Sequence, residues 1–216
     1  MDFSLKVLLA YLLGSVVGGL VVGRLRGGVD IRQLGSGNAG STNALRTQGL
    51  GFGIWVILID VAKGWIAAAL LPGLGIPGVA VAGGAQAAWL PASCAFASIL
   101  GHVFPVWHGF RGGKGVATLV GAYAGLEALL LLPLVVCWLA VVMVSGFVGL
   151  SSIAAAIAAP VYLSIRDGAR LTPLMGFALA SAVLVLYTHR GNVRRMRAGT
   201  ENRARKLWLF GRGRES

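Results

Sequence analysis

Acidic side chains are scarce in this chain: seven Asp and Glu stand against nineteen Lys and Arg among 216 residues, a net charge of +12. Charged residues of either sign make up 12% of the sequence and hydrophobic ones 56%, against roughly 25% and 45–50% in a soluble domain. That composition excludes a water-soluble globule. Cysteine is equally sparse, and Cys94 and Cys137 both lie within apolar runs, so neither reports on redox compartment. The 33 glycines lack the Gly-X-Y period of collagen. No convincing internal repeat is present. No aromatic-interleaved recognition module accompanies the bases, which leaves nucleic acid without support as a partner. What remains is a polytopic membrane protein whose excess bases suit anionic lipid headgroups or phosphorylated small molecules.

A membrane-spanning helix needs about 20 mostly apolar residues. Leu5 to Gly23, Phe52 to Leu71 and Ala80 to Phe104 meet that length, the second stopped by Pro72 and Pro77 and the third carrying Pro91. The run Val116 to Val148 is too long for one crossing, since a helix of ~33 residues measures ~50 Å. Glu127 and Pro133 sit in its middle, so it is divided into two short spans near residues 127 to 133. Leu150 to Ile165 and Thr172 to Tyr187 complete an all-α fold of seven transmembrane helices. Lys and Arg collect in cytoplasmic segments. With seven spans, 15 of the 19 bases fall in Arg24 to Gly51, Gly101 to Gly115 and the tail from Thr188, all on one face. The amino end is therefore expected outside and the carboxyl end in the cytoplasm, with residues 1–190 forming the transmembrane domain and 191–216 a basic cytoplasmic tail.

Three polar constellations gather at that face. The first runs from Leu34 through Gly35-Ser36-Gly37-Asn38-Ala39-Gly40-Ser41-Thr42-Asn43 to Arg46, with many backbone N–H groups free to close on an anion. It contains G-x-G-x-x-G, yet it follows a membrane helix rather than a Rossmann strand, so the dinucleotide reading fails. The second runs from Gly101-His102 through Phe110-Arg111-Gly112-Gly113-Lys114-Gly115 into the next span. A glycine loop feeding a helix amino end, beside a lysine, is phosphate chemistry in outline. It is no Walker loop, because Gly115 stands where a hydroxyl is required. The third is dispersed: Ser145, Ser151 and Ser152, then His189-Arg190-Gly191-Asn192 near the tail. Asp60 and Lys63 form an i, i+3 pair deep in the second span, where charges are costly and usually paired.

Together these residues resemble the bacterial acyl-phosphate-dependent glycerol-3-phosphate acyltransferases over nearly the whole chain. The resemblance rests on Asp30-Ile31-Arg32, Gly35 to Asn38 with Thr42-Asn43 and Arg46, Asp60 with Lys63-Gly64, Gly101-His102 with Phe104-Pro105, Phe110 with Gly112 to Gly115 and Ala117-Thr118, and His189-Arg190 with Asn192. It implies a seven-span enzyme of the bacterial cytoplasmic (inner) membrane that moves a fatty acyl group from acyl phosphate to glycerol 3-phosphate. The products would be lysophosphatidic acid and phosphate, with no cofactor and no metal, and with membrane lipids around the apolar helices. Where family members usually read Gly-Ser-x-Pro in the first span, this chain has Gly14-Ser15-Val16-Val17, without the kinking proline. Gly149 stands at a usual serine position, and Ser152 matches a later one.

The chemistry suits the residue types. Acyl phosphate is an activated mixed anhydride, so the enzyme's burden is to hold two anionic substrates that repel. Arg46 and Lys114 are the expected neutralising cations. Ser36, Gly37, Asn38, Thr42, Asn43, Gly112, Gly113, Gly115, Ser152 and Asn192 are the expected phosphate contacts. His102 is the candidate base, with a substrate phosphate oxygen as the other proton acceptor. An organic-phosphate membrane transporter is the alternative from another class, with Asp60 and Lys63 as a coupling pair.

Overall fold

The computed structural model describes residues 1–211, so the last five positions expected in the basic tail lie outside the described residues. The described residues contain helices and no strands. They divide into two compact units, with the boundary after Ala128.

The first unit begins with α1 (Asp2–Gly14) and α2 (Gly18–Leu25), which meet at a 47° bend. The missing proline therefore does not straighten this segment. The break is held from outside: Lys63 Nζ donates to the Val16 carbonyl at 2.8 Å, and the Gly18 N–H donates to Asp60 Oδ1 at 3.0 Å. These are the backbone groups that a broken helix leaves without intrahelical partners, and in hydrocarbon each must find one. Ser15 Oγ adds a bond to the Tyr11 carbonyl. At the opposite end of α1, the Lys6–Asp2 ion pair reaches the Pro72 carbonyl and the Ala82 N–H.

After a 3-10 turn at Ile31–Gln33 come α3 (Ser41–Gln48) and α4 (Leu50–Trp65). Gly49, at φ +86°, makes the abrupt corner between them, a conformation that costs glycine little. A π turn at Ile66–Leu70 carries α4 to its stop at Leu71–Gly73. Next come α5 (Gly84–Val103), which runs through Pro91 as one helix, and α6 (Val116–Glu127). Small residues let the helices cross closely, as membrane packing favours. A β-carbon on Gly14 would strike the Ser98 backbone of α5, and one on Gly101 the Tyr11 carbonyl of α1. Gly64 of α4 meets the Thr118 carbonyl in the same way, and Gly121 of α6 meets that of Val61.

The second unit holds α7 (Leu131–Ser145), α8 (Val148–Asp167), α9 (Pro173–Thr188) and α10 (Arg190–Arg197). α10 leaves α9 at a 49° bend. Past it the chain folds back on the α7–α8 corner. Arg203 stacks on Phe147 and Trp208, the Ala204 N–H donates to the Gly146 carbonyl at 2.7 Å, and Trp208 Nε1 donates to Val144 O at 3.1 Å. The described part of the basic tail is thus ordered against its own unit.

Four helical runs are long and apolar enough to cross a membrane, or up to six if each bent pair counts as one span. By length and composition Val116–Ser145 counts once, and a 3-10 turn at Ala128–Leu130 interrupts it. That turn lies within the expected 127 to 133 interval. Pro133 enters α7 in its first turn, where the absent N–H breaks no helical bond. Outward faces such as Ile54, Trp55, Leu58, Leu132, Val136 and Val144 are exposed and apolar, as lipid contact requires.

The glycine crossings generate a stability test. Gly121→Val drives a branched side chain into the Val61 backbone, and overpacking of this kind costs ~1–3 kcal/mol. The expected outcome is a lower unfolding midpoint in detergent; an unchanged midpoint would show that α4 and α6 do not cross this closely.

Candidate active site

The first loop is organised by Asn43, buried in the opening turn of α3. Its Nδ2 lies 2.9–3.0 Å from the carbonyls of Ile31, Leu34 and Asn38, and its Oδ1 accepts from the Ser36 N–H at 2.9 Å. The polar groups of the Asn43 side chain are turned into the loop and set its shape. Asn38 Oδ1 accepts from the Gly40 N–H at 2.9 Å and leads the chain into α3. The Ser36 and Thr42 side chains and Arg46 are exposed, with Gly37 beside them at φ +71°. Ser41, Thr42 and Asn43 form the first turn of α3, whose N–H groups have no intrahelical acceptors.

The second loop closes the end of α5. The Gly112 N–H donates to Val103 O at 3.2 Å and the Gly113 N–H to His102 O at 3.1 Å. These two amides finish the end of α5 by donating to its carbonyls. Their glycine identity has a steric reason: a β-carbon on Gly112 would collide with the His102 carbonyl, and one on Gly113 with His102 Nε2. Gly115, at φ +83°, caps α6 and presses against Ile99. The loop delivers a half-buried Lys114 to the amino end of α6, where backbone N–H groups and the helix dipole favour an anion.

One arginine joins the two loops. Arg32 grips Asp30 through Nε and Nη2 at 2.8–3.2 Å, and its Nη1 donates to the carbonyls of His108 and Arg111 at 3.2 and 3.0 Å. The hydrogen bonds from Arg32 hold the Asp30 carboxyl below its ordinary range. The same contact raises the Arg32 guanidinium. Sequence reasoning noted Asp30-Ile31-Arg32 only as part of a resemblance; its bridging role has no local signal, because its acceptors are carbonyls 76 and 79 positions away.

Beneath the second loop lies the ionic pair expected in the second span. Lys63 Nζ is 2.8 Å from Asp60 Oδ1 and 2.9 Å from His102 Nδ1, while His102 Nδ1 stands 3.3 Å from Asp60 Oδ1. None of the three residues is more than 3% exposed. Thus α4 and α5 supply one cluster, and the chain break between α1 and α2 completes its bonding.

Ser152 and Asn192 belong to the second unit. Ser152 Oγ donates to the Val148 carbonyl at 3.0 Å and accepts from Trp138 Nε1 at 3.3 Å. Asn192 is buried, stands where a β-carbon on Gly149 would touch it, and donates to Glu201 at 2.6 Å. Glu201 also receives Arg195 Nε at 2.6 Å. The sequence did not signal this acidic partner, which follows Asn192 by nine positions.

A sequence profile of glycerol-3-phosphate acyltransferases matches residues 4–199. A glycerol-3-phosphate acyltransferase of Thioalkalivibrio sulfidiphilus is 44% identical over 198 residues, covering 92% of each chain. One from a Synechococcus strain is 42% identical over 204 residues, covering 94% of this chain and 96% of its own. The crystal structure of PlsY, an integral membrane glycerol 3-phosphate acyltransferase, in its glycerol 3-phosphate form is 35% identical and superposes with a TM-score of 0.80, covering 94% of this chain and 96% of that one. Its lysophosphatidic acid form gives the same TM-score at 34% identity. With shared sequence along almost its full length and a shared helical fold, the chain belongs to the glycerol-3-phosphate acyltransferase family of integral membrane enzymes.

Proposed function

We propose that this protein transfers a fatty acyl group from an acyl phosphate to a hydroxyl of glycerol 3-phosphate. The acyl carbon–oxygen bond to phosphate breaks, an ester bond forms, and lysophosphatidic acid and phosphate leave. The observation that carries the reading is the Arg32 bridge, which joins the loop leading to Arg46 with the loop bearing Lys114 inside one compact unit. Two substrates that repel each other need two cationic, amide-rich receptors. The amino ends of α3 and α6, each followed or preceded by a cation, have that character.

In this reading Arg46 and Lys114 offset phosphate charge. Ser36, Gly37, Asn38, Thr42 and Gly115 line the receptors, while Asn43, Gly112 and Gly113 shape them. Ser152 and Asn192 are carried as substrate contacts on the resemblance alone. The leaving group is already activated, so alignment carries much of the rate; effective molarity alone is worth ~7–11 kcal/mol. The proton of the attacking hydroxyl goes to His102 or to a substrate phosphate oxygen. The proposed topology has seven spans, α6 and α7 crossing separately around Ala128–Leu130, with the amino end outside. Residues 1–190 form the transmembrane domain and 191–216 the basic tail. The concentration of bases in the loops and tail supports a site facing the cytoplasm of a bacterial inner membrane. The transporter alternative has no support among the matched proteins.

Purified protein in lipid, given palmitoyl phosphate and labelled glycerol 3-phosphate, is expected to yield labelled lysophosphatidic acid. Absence of product would refute the reading. Lys114→Ala and Arg46→Ala are each expected to lower turnover by about 100-fold or more, the scale seen when one transition-state donor is removed. Undiminished turnover in either variant removes that residue from the site.

The topology is testable with single cysteines in a cysteine-free background: positions 129 and 171 should label from outside and position 36 from inside. Labelling of position 129 from the cytoplasmic side overturns the seven-span arrangement.

The Asp30–Arg32 contact predicts acid behaviour. Because the folded carboxyl titrates below its unfolded value of ~3.9, its contribution is present above that value and is lost as pH falls through the folded value. Proteolytic protection of residues 26–40 should therefore persist to below the ordinary carboxyl range. In Arg32→Gln, cleavage is expected already at neutral pH; equal protection of both proteins at every pH contradicts the bridging role.

A further inference from the structure

The cluster beneath the glycine loop constrains where the protons sit. Lys63 Nζ has three acceptors in hydrogen-bonding range: Asp60 Oδ1 and Val16 O at 2.8 Å and His102 Nδ1 at 2.9 Å. An ammonium carries three protons, so each acceptor takes one. A proton on Nδ1 would instead set two donors against each other at 2.9 Å, in return for the longer 3.3 Å approach to Asp60 Oδ1. A neutral amine beside a neutral imidazole would leave the Asp60 carboxylate as an uncompensated buried charge. Moving the lysine proton onto imidazole would place it on the weaker base. The arrangement that gives each of the three short Lys63 contacts one donor and one acceptor is carboxylate, ammonium and neutral imidazole with Nδ1 accepting; it leaves the 3.3 Å approach of Nδ1 to Asp60 Oδ1 unbonded and, among the described residues, Asp60 Oδ2 without a partner.

A neutral imidazole has one N–H, which must then be on Nε2. Among the described residues Nε2 has no hydrogen-bond partner. It lies against Gly113, where any β-carbon would collide with it. Glycine at this position therefore leaves Nε2 of the buried His102 with no side chain packed over it, one residue before Lys114.

We propose that Asp60 and Lys63 are positioning residues that lock His102 in its Nε2–H tautomer, making the imidazole a hydrogen-bond donor to an anionic oxygen of the bound substrates rather than the base. This assignment rests on the acyl-transfer reading only for the identity of the oxygen: a phosphate oxygen or the oxyanion developing on the acyl carbonyl. The tautomer follows from the cluster itself. With Nε2 already protonated and Nδ1 held by Lys63, neither nitrogen is open to receive the proton of an attacking hydroxyl.

The full-length protein with 15N-labelled histidine, in micelles or nanodiscs at neutral pH, decides the tautomer by NMR. The His102 signals are those lost in His102→Gln. A pyridine-type Nδ1 and a protonated, pyrrole-type Nε2 are expected; the reverse in the wild-type protein overturns the proposal. In Lys63→Met that preference should weaken or invert, and an unchanged tautomer in that folded variant also counts against it.

Turnover supplies the independent arm. His102→Ala is expected to lose about 100-fold, as for a removed transition-state donor. His102→Gln, whose side-chain amide offers an N–H but no base, should recover about tenfold of that loss, because a donor is restored. Equal losses in both variants refute the donor role. A defect confined to KM for one substrate assigns a phosphate oxygen, and a defect in kcat at saturation assigns the oxyanion. If the wild-type protein makes no product, the acyl-transfer reading falls while the nitrogen signals still decide the tautomer.

Discussion

An ion pair inside the membrane region fixes the geometry on which the candidate site depends. Asp60 and Lys63, one helical turn apart on α4, neutralise each other and still have bonding capacity to spare. That capacity goes to three other segments: the Gly18 N–H opening α2, the Val16 carbonyl in the break after α1, and the imidazole of His102 on α5. A charge pair buried in a low-dielectric region is poorly justified by its mutual attraction alone, since desolvation offsets much of it. Here it satisfies backbone groups that would otherwise be orphaned in hydrocarbon. The same contacts set the positions of α1, α4 and α5 where the polar loops emerge.

The glycine-rich segments look, by composition, like two examples of one device, yet they are built differently. In the first loop a single buried amide, Asn43, gathers three carbonyls and one N–H from a stretch of eight residues. In the second, glycine allows the chain to lie directly on the end of α5, and its own amides finish that helix. Neither loop simply presents a row of free N–H groups. Each spends part of its backbone polarity on holding a shape, and the anion-receptive features include helix amino ends and cationic side chains.

The apolar spans and their residue boundaries were largely legible, because a helix in hydrocarbon must be long, apolar and internally bonded. A 3-10 turn at Ala128–Leu130 falls where Glu127 and Pro133 suggest a division into two spans, while by length and composition Val116–Ser145 counts as one. The break in the first span was not legible. Without the proline it reads as a continuous helix, and the groups that stabilise the bend come from α4. Among the candidate residues, Arg46, Lys114 and the glycine loops stand out by type and clustering, and Arg32 links the two loops that carry them. The inward use of Asn43, Gly112 and Gly113 was hidden, since a sequence motif reports which donors are present and not which acceptors they already serve.

Taken as a string of residues, the chain supplies an inventory with an address: helices that require lipid, polar loops that require an interface, and an excess of bases suited to phosphate. Composition and period suffice for that, because partition between water and hydrocarbon depends on each segment's own side chains. Tertiary structure alone decided that Arg32 reaches the carbonyls of His108 and Arg111, that Lys63 completes a helix it does not belong to, and that His102 presents Nε2 to Gly113. These are contacts between residues far apart in the chain. Hydrogen bonds act over about 3 Å, so their partners are set by how helices cross and not by spacing along the sequence.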